Sequence, residues 1–245
     1  MRVVFMGTPD FAVGTLKAII EAGYDVAAVV TQPDKPKGRS KSLVFSPVKE
    51  EAVAHGITVL QPERARDEAF VEELRTYNAD VIVVVAFGQL LPASIINMPG
   101  YGCINVHASL LPKYRGASPI QWAVIDGCEY SGVTTMKMDE GLDTGDILMV
   151  EKVKLDAKET GGSLFDRLSD VGAHLLVKTL EGLEAGTITP VKQDDSESTY
   201  VKMLHKSFGK MDFNKSAAEL ERLIRGLNPW PSAFTYIDGK MLKIW

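Results

Sequence analysis

The chain has 245 residues, of which 45% are hydrophobic and 24% are charged. This composition is typical of a folded globular protein, and it excludes a disordered chain, a collagen-like repeat and a small disulfide scaffold. With 27 Lys and Arg residues against 32 Asp and Glu residues the net charge is −5, so a nucleic-acid partner would need a local basic patch.

The cysteine count and the hydropathy pattern are typical of a protein of the cytoplasm. Cys103 and Cys128 allow at most one disulfide, and Met1-Arg2 runs directly into a strand-like segment without a signal-peptide pattern. The longest apolar run, from Val81 to Phe87, is far shorter than the ~20 residues of a membrane-spanning helix. We therefore expect a cytoplasmic protein with reduced thiols and no membrane contact.

Short β-branched runs alternate with helical patterns through the first part of the chain. The segments that we predict as strands are 2–6, 25–30, 57–60 and 80–86. Thr8-Pro9 and Ser46-Pro47 each combine an N-cap residue with a proline, which predicts that helices begin there, and residues 66–77 are also helical. The strand at 80–86 is apolar throughout, as in parallel sheets that helices cover on both faces.

The same alternation continues to residue 188. We predict strands at 103–106, 133–138 and 145–155, and helices at 118–125 and 163–184. An alternating chain of this kind predicts a doubly wound α/β fold with a mostly parallel sheet.

The composition changes after residue 188. Residues 193–199 are polar and indicate a linker, which we place at 189–206. Ser216-Ala-Ala-Glu219 is a capping box that begins a helix to Leu227, and 233–245 reads as a hairpin around Asp238-Gly239. Because so few residues cannot bury a core of their own, we expect 207–245 to be the beginning of an incomplete second domain.

The first turn after a predicted strand, Gly7-Thr-Pro-Asp-Phe11, lacks the G-x-G-x-x-G pattern, and the chain has no P-loop motif. Neither dinucleotide binding nor P-loop chemistry is therefore indicated.

The strongest candidate for chemistry is the pair Asn105 and His107. The two residues are two apart at the carboxyl end of a strand, so both side chains leave one face at the edge where ligands bind. An amide donor beside an imidazole suits acyl transfer, and a carboxylate from the acidic turn 139–146 could orient His107 and raise its basicity. The alternatives are a structural histidine and a solvated turn, and Cys103 with His107 is a weaker metal pair.

A basic loop follows the second predicted strand. It carries Lys35, Lys37, Arg39 and Lys41 against Asp34, and between residues 32 and 50 five cations face two acids. Such a loop suits a phosphate backbone, although a solvated surface loop has the same composition.

These residues together resemble the 10-formyltetrahydrofolate-dependent formyltransferases over the whole chain. Asn105-x-His107-x-Ser-Leu-Leu-Pro112, followed by Lys-Tyr-Arg-Gly116 and by Leu142-Asp143-Thr-Gly145, is similar to the catalytic signature of that family. Gly7-Thr-Pro-Asp-Phe-Ala12 and Thr31-Gln-Pro-Asp-Lys-Pro-Lys-Gly-Arg39 are closer to the branch that formylates initiator methionyl-tRNA.

The resemblance implies roles for three groups of residues. It implies Asn105, His107 and Asp143 as the catalytic residues and the basic loop, Lys35, Lys37, Arg39 and Lys41, as the contact with tRNA. The residues that it implies for the folate pocket are Phe87, Gly88, Gln89, Leu90, Leu91, Pro92, Ser109, Leu110, Leu111 and Pro112.

The resemblance also implies a fold and a reaction. A Rossmann-like catalytic domain, which we place at residues 1–188, would precede the start of an OB-type β-barrel that binds tRNA. We expect a monomer that transfers a formyl group from 10-formyltetrahydrofolate to methionyl-initiator tRNA without a metal ion. The alternatives are an amino-sugar nucleotide formyltransferase, a 10-formyltetrahydrofolate hydrolase and a folate- or RNA-binding module without activity.

Overall fold

The computed structural model describes residues 1–37 and 42–245, and strands and helices alternate along this part of the chain. The strands are β1 (Arg2–Gly7), β2 (Asp25–Val30), β3 (Lys35–Lys37), β4 (Ser42–Val44), β5 (Val59–Leu60), β6 (Val81–Val85), β7 (Cys103–His107), β8 (Arg115–Gly116), β9 (Tyr130–Lys137), β10 (Asp146–Lys154), β11 (Tyr200–Val201), β12 (Ala233–Ile237) and β13 (Lys240–Ile244). The α-helices are α1 (Val13–Glu21), α2 (Pro47–Ala54), α3 (Glu68–Arg75), α4 (Ala93–Ile96), α5 (Pro119–Ile125), α6 (Gly161–Glu184) and α7 (Ala217–Gly226).

The main sheet has the strand order β10-β9-β7-β6-β1-β2-β5. The five strands from β7 to β5 are parallel, β9 pairs antiparallel with β7, and β10 pairs antiparallel with β9. The predicted doubly wound, mostly parallel sheet is thus confirmed. Because β6 and β7 are parallel neighbours, the segments that follow them leave from the same edge of the sheet.

Helices cover both faces of this sheet. On one face, α1, α2, α5 and α6 bury a core that includes Phe5, Val83 and Leu176. On the other face, α3 and α4 bury a second core that includes Met6 and Ile82. Since both faces are buried, the continuous apolar run of β6 is what the fold requires.

Two of the predicted helix starts can be compared with the observed caps. Ser46 caps α2, because its side chain accepts a hydrogen bond from the backbone N–H of Lys49, as predicted. Thr8 is not an N-cap, so that prediction is wrong: its hydroxyl donates to the carbonyl of Phe87 at 3.0 Å and accepts from the backbone N–H of Gln32 at 3.2 Å. A short 3₁₀ turn, Asp10–Ala12, precedes α1 instead.

The segment predicted as a linker is folded against the part of the chain that precedes it. β11 pairs in parallel with β8, and a 3₁₀ turn covers Asp195–Glu197. Gln193 is buried. The boundaries of the domains stay a prediction, but the structure gives this segment partners that a mobile connection would lack.

The C-terminal residues form the predicted helix and hairpin. Ser216 and Glu219 form the capping box that begins α7, and β12 pairs with β13 across Asp238-Gly239. Leu223 and Leu227 pack with Leu204 in a third core cluster beside α5. The OB-type barrel remains a prediction, because these residues make a two-stranded hairpin.

Candidate active site

Asn105 and His107 lie on one face at the carboxyl end of β7. Asn105 stands in register between Val84 of β6 and Met136 of β9, and His107 lies opposite Thr134. His107 is buried, whereas Asn105 is half-buried. Over residues 1–37 and 42–245 the side-chain amide of Asn105 has no protein hydrogen-bond partner, so it can serve a bound molecule.

The contacts of His107 define its protonation geometry. Its Nε2 lies 2.9 Å from the carbonyl oxygen of Tyr114, and its Nδ1 lies 3.7 Å from Oδ2 of Asp143. A carbonyl oxygen can only accept a hydrogen bond, so Nε2 carries the proton of the neutral ring. Nδ1 is therefore the nitrogen that gains or releases a proton, and a proton there points towards the carboxylate of Asp143.

Asp143 reaches the imidazole from the turn between β9 and β10. Its backbone is left-handed, with φ at +55°, a conformation that Asp and Asn adopt more readily than most residues. Its Oδ2 accepts a hydrogen bond of 2.7 Å from the backbone N–H of Gly116. The structure thus brings His107 and the acidic turn together, as the sequence predicted.

The short strand β8 and the residue before it hold both members of this pair. The carbonyl of Tyr114, immediately before β8, accepts from His107, and the N–H of Gly116 donates to Asp143. Tyr114 itself has a left-handed φ of +59°, and its N–H donates to the hydroxyl of Thr199 at 2.8 Å. The geometry of the imidazole and the carboxylate therefore depends on how β8 is anchored.

The ring of Tyr114 is anchored on the other side. Its hydroxyl donates to Asp126 and lies 3.0 Å from Sγ of Cys128. Burial, followed by the contact with Cys128, raises the pKa of Tyr114 above its usual range, so the hydroxyl stays protonated and can donate. The ring lines a cleft of about 800 Å³ with Trp122 and residues of the 199–208 segment.

Sequence reasoning assigned no role to the buried side chains behind this strand. The guanidinium of Arg115, which is 1% exposed, donates to Oε1 of Gln193, to Asp195 and to the hydroxyl of Tyr200. The amide of Gln193 donates in turn to the carbonyl oxygen of Asp143. Arg115 lies within the recognised motif, but Gln193 sits in a polar run whose composition indicated a linker, so only its contacts identify it.

The first segment predicted to line the folate pocket follows β6. The carbonyl of Phe87 accepts hydrogen bonds from Thr8 and from Nε2 of Gln32, which fixes the chain as it leaves the strand. Gly88 has a φ of +85°, which turns the chain, and Pro92 precedes α4. Phe87 is buried, so its ring belongs to the core.

Gln89 and Leu90 of this segment differ in their surroundings: Gln89 bonds to neighbouring loops, and Leu90 is exposed. The Gln89 side chain accepts from the N–H of Ala65 at 2.7 Å and donates to the carbonyl of Pro62 at 3.2 Å. It therefore ties two loops together. Leu91 is buried, whereas Leu90 is 83% exposed, and an apolar side chain so exposed is available for an apolar ligand.

The second predicted segment, Ser109–Pro112, follows β7. The hydroxyl of Thr134 donates to the carbonyl of Ser109 and accepts from the N–H of Leu111, so the turn is fixed to β9. Ser109 and Leu111 are buried, and Leu110 is half-buried. Because β6 and β7 are neighbours, the two predicted segments flank the end of β7 that carries Asn105.

The basic loop lies only partly within the described residues. Lys35 is exposed on β3, which pairs with β4, whereas Arg39 and Lys41 lie outside the described residues and the side chain of Lys37 is likewise not described. Lys49, which the charge count included, lies 2.5 Å from Asp34 and also donates to Gln61. Its hydrogen bond lowers the pKa of the Asp34 carboxyl, so this cation neutralises an acid at the base of the loop.

The metal alternative finds no support in the structure. Cys103 shares the face of Asn105 and His107, but its Sγ contacts the carbonyl of Ile95, and burial raises the pKa of the thiol to about 12. No group of three or more potential metal ligands occurs within the described part of the chain. A search of the same residues finds no helix long and apolar enough to cross a membrane.

Two family models match the sequence of this chain. The model described as formyl transferase matches residues 1–180, and the model described as formyl transferase, C-terminal domain, matches residues 203–245. The chain belongs to the formyl transferase family. The first match contains the whole Asn105, His107 and Asp143 arrangement of this formyl transferase, and Gln193 lies between the two matches.

Two relatives match this formyl transferase over all of its 245 residues. It is 98% identical over 245 residues to the methionyl-tRNA formyltransferase of Lachnospira eligens, of which it covers 78%. It is 62% identical over 245 residues to the methionyl-tRNA formyltransferase of Agathobacter rectalis, of which it covers 79%. All of this chain is matched in both comparisons, which confirms the predicted family.

Solved structures of formyl transferases share the fold. A 4-N formyltransferase from Francisella tularensis superposes with a TM-score of 0.76 at 19% identity, over 99% of this chain and 96% of that one. The N-formyltransferase from Helicobacter canadensis, solved with folinic acid and dTDP-3-aminofucose, gives a TM-score of 0.72 at 20% identity, over 97% and 84%. At such identities the likeness shows the fold alone.

Proposed function

We propose that this chain transfers the formyl group of 10-formyltetrahydrofolate to the α-amino group of methionyl-initiator tRNA. The observation that carries the proposal is the 98% identity, over all 245 residues, to a methionyl-tRNA formyltransferase. The sugar N-formyltransferases share the fold at about 20% identity, which does not specify an acceptor.

In this reaction the nucleophile is the neutral α-amine of the esterified methionine. A free α-amine has a pKa of about 7.7–8.0, so a sizeable fraction is neutral near pH 7 without a strong base. The chief tasks of the protein are then to place the amine against the formyl carbon and to stabilise the addition intermediate.

Asn105, His107 and Asp143 divide these tasks. The side-chain amide of Asn105 donates a hydrogen bond to the developing oxyanion. Nδ1 of His107 exchanges the proton that the amine loses and that N10 of the departing folate gains, directly or through water. Asp143, 3.7 Å from Nδ1, balances the positive charge of the imidazolium while it carries that proton.

The folate donor fits the two segments that flank Asn105. Residues 87–92 and 109–112 leave neighbouring parallel strands, and they offer the exposed Leu90 and the half-buried Leu110 to the faces of a planar heteroaromatic ring system. The amide of Asn105, which has no hydrogen-bond partner among residues 1–37 and 42–245, lies between them and would donate to the formyl oxygen. These segments would hold the donor, which supplies the formyl group when it is bound.

The acceptor side of the proposal uses the basic loop and the C-terminal residues. The exposed Lys35 and its neighbours Lys37, Arg39 and Lys41 would contact phosphates near the acceptor end of the tRNA. Residues 207–245 would begin the tRNA-binding domain that follows a catalytic domain at 1–188. We also propose that the chain acts as a monomer in the cytoplasm, where aminoacylated tRNA is used.

The test is formyl transfer with three acceptors offered separately. The purified chain receives 10-formyltetrahydrofolate with methionine-charged initiator tRNA, with an amino-sugar nucleotide or with water alone, and the Lachnospira eligens relative serves as the positive control. Formylated methionyl-tRNA is the expected product. Formylation of the amino sugar alone, release of formate alone, or inactivity beside an active relative would each overturn the proposal.

A further inference from the structure

We propose that Gln193 is a positioning residue of the reaction, which holds the turn that carries Asp143 at its working distance from His107. The inference rests on the proposed function, because it takes those two residues as catalytic. Gln193 lies in the segment that the sequence predicted as a linker, and it is 6% exposed.

The amide of Gln193 makes four hydrogen bonds in two opposite directions. Its Nε2 donates to the carbonyl oxygens of Asp143 at 2.9 Å and Gly145 at 2.7 Å. Its Oε1 accepts from Nε of Arg115 at 3.0 Å and from Nη2 of Arg115 at 2.8 Å. The two N–H donors and the two acceptor sites of the amide oxygen are therefore all used.

The surroundings leave only one orientation for this amide. Arg115 can only donate and the two backbone carbonyls can only accept, so the oxygen of Gln193 must face Arg115 and its nitrogen must face the turn. Arg115 is itself buried and joins the N-terminal end of β8 to the 193–200 segment. Gln193 thereby links β8, which holds His107, to the backbone of the residue that faces His107.

The link acts on the backbone of the turn at Asp143. Asp143 has a left-handed backbone, and the hydrogen bond from Gly116 holds only its side chain. The two bonds from Gln193 fix the carbonyls on either side of Thr144 and so fix the backbone from which that carboxylate projects. Because an error of about 1 Å in a catalytic group can cost about 100-fold in rate, the loss of this link should lower kcat.

The test separates the two sides of the amide. Gln193→Glu keeps an acceptor for Arg115 but cannot donate to the carbonyls of Asp143 and Gly145, and it places a charge against them. We expect kcat to fall by about 100-fold with the KM for the folate donor within about threefold of wild type, because the side chain of Gln193 bonds to Arg115, Asp143 and Gly145 and not to the described residues of 87–92 or 109–112. Asp194→Asn is the matched control, since the side chain of that exposed neighbour accepts from Ser196 and asparagine keeps an acceptor there, and its kcat should equal that of wild type.

A second readout does not depend on turnover. Hydrogen–deuterium exchange of residues 139–145 should rise in Gln193→Glu and stay unchanged in Asp194→Asn. If Gln193→Glu does not fold, Gln193→Asn replaces it, because the shorter amide keeps the chemistry but cannot reach both Arg115 and the turn. A folded variant with wild-type kcat, or with wild-type exchange at 139–145, would overturn the proposal.

The same experiment distinguishes this inference from the proposed function. Wild-type protein without formyl transfer would refute the proposed function, whereas the exchange of residues 139–145 would still decide whether Gln193 holds the turn. Normal formyl transfer by the wild-type enzyme, together with Gln193 variants whose kcat and exchange equal those of wild type, would refute this inference alone.

Discussion

Replacing Asp143 by Asn isolates the charge that faces His107. Asparagine keeps an acceptor for the N–H of Gly116, and it tolerates the left-handed backbone at φ +55°. The fold should therefore be unchanged and the melting temperature should stay within about 2 °C of wild type, since each 1 kcal/mol shifts it by about 2–4 °C at this size. The negative charge beside Nδ1 is the one property that is lost.

The size of the effect follows from the distance. Two unit charges 3.7 Å apart attract by about 4 kcal/mol at an effective dielectric constant of about 20, and by about 1 kcal/mol in bulk water. Both side chains are largely buried, 9% exposed for His107 and 12% for Asp143, which favours the larger value. Since 1.36 kcal/mol corresponds to tenfold in rate, we expect kcat to fall by about 10²–10³.

Asp143→Ala provides the comparison within the same assay. Alanine pays about 1–2 kcal/mol for the left-handed backbone, and the N–H of Gly116 loses its partner at about 1–3 kcal/mol. Its melting temperature should therefore fall by roughly 5–15 °C, on top of the loss of turnover. Steady-state formyl transfer and thermal unfolding measure both; an Asn variant with more than about a third of wild-type kcat would refute the charge-balancing role.

Three further predictions concern other parts of the molecule. Asn105→Ala should lower kcat by about 10²–10³ with an unchanged melting temperature, and near-normal turnover would remove Asn105 from the mechanism. Lys49 lowers the pKa of Asp34 from its ordinary 3.8, so this pair stabilises the fold above that pH and the stabilisation is lost as pH falls through the lowered value. Lys49→Met should thus be less stable than wild type near pH 7, with a gap that narrows as pH falls below 3.8; a gap that stays constant with pH in thermal unfolding would contradict this. In Gly116→Ala, a Cβ would lie 2.6 Å from the carbonyl oxygen of Val201 at φ +97°, so both stability and formyl transfer should drop, and a variant as stable as wild type would contradict the close approach.

Elements with strong local signals were predicted from the sequence. The apolar run of β6 and the caps at Ser46 and Ser216 were found where they were expected, because they depend on neighbours within a few residues. Thr8 was predicted wrongly as a cap, because its hydroxyl is hydrogen-bonded to the backbone of Phe87 and of Gln32, which lie far from it in sequence. The two-residue strands β8 and β11 carry no pattern of their own and were not predicted.

The candidate site divides in the same way. Asn105 and His107 share a face because side chains two apart on a strand must do so, and the sequence by itself determined that pairing, together with the family. The acidic turn alone left its carboxylates open and the resemblance implied Asp143, but only the tertiary structure shows what holds Asp143 at 3.7 Å from His107. Gly116 reaches Asp143 across 27 residues, Gln193 reaches Asp143 across 50, and Arg115 reaches Gln193 across 78. Contacts at such separations depend on the packing of the whole sheet and its connections, whereas periodicity and capping depend only on the residues nearby.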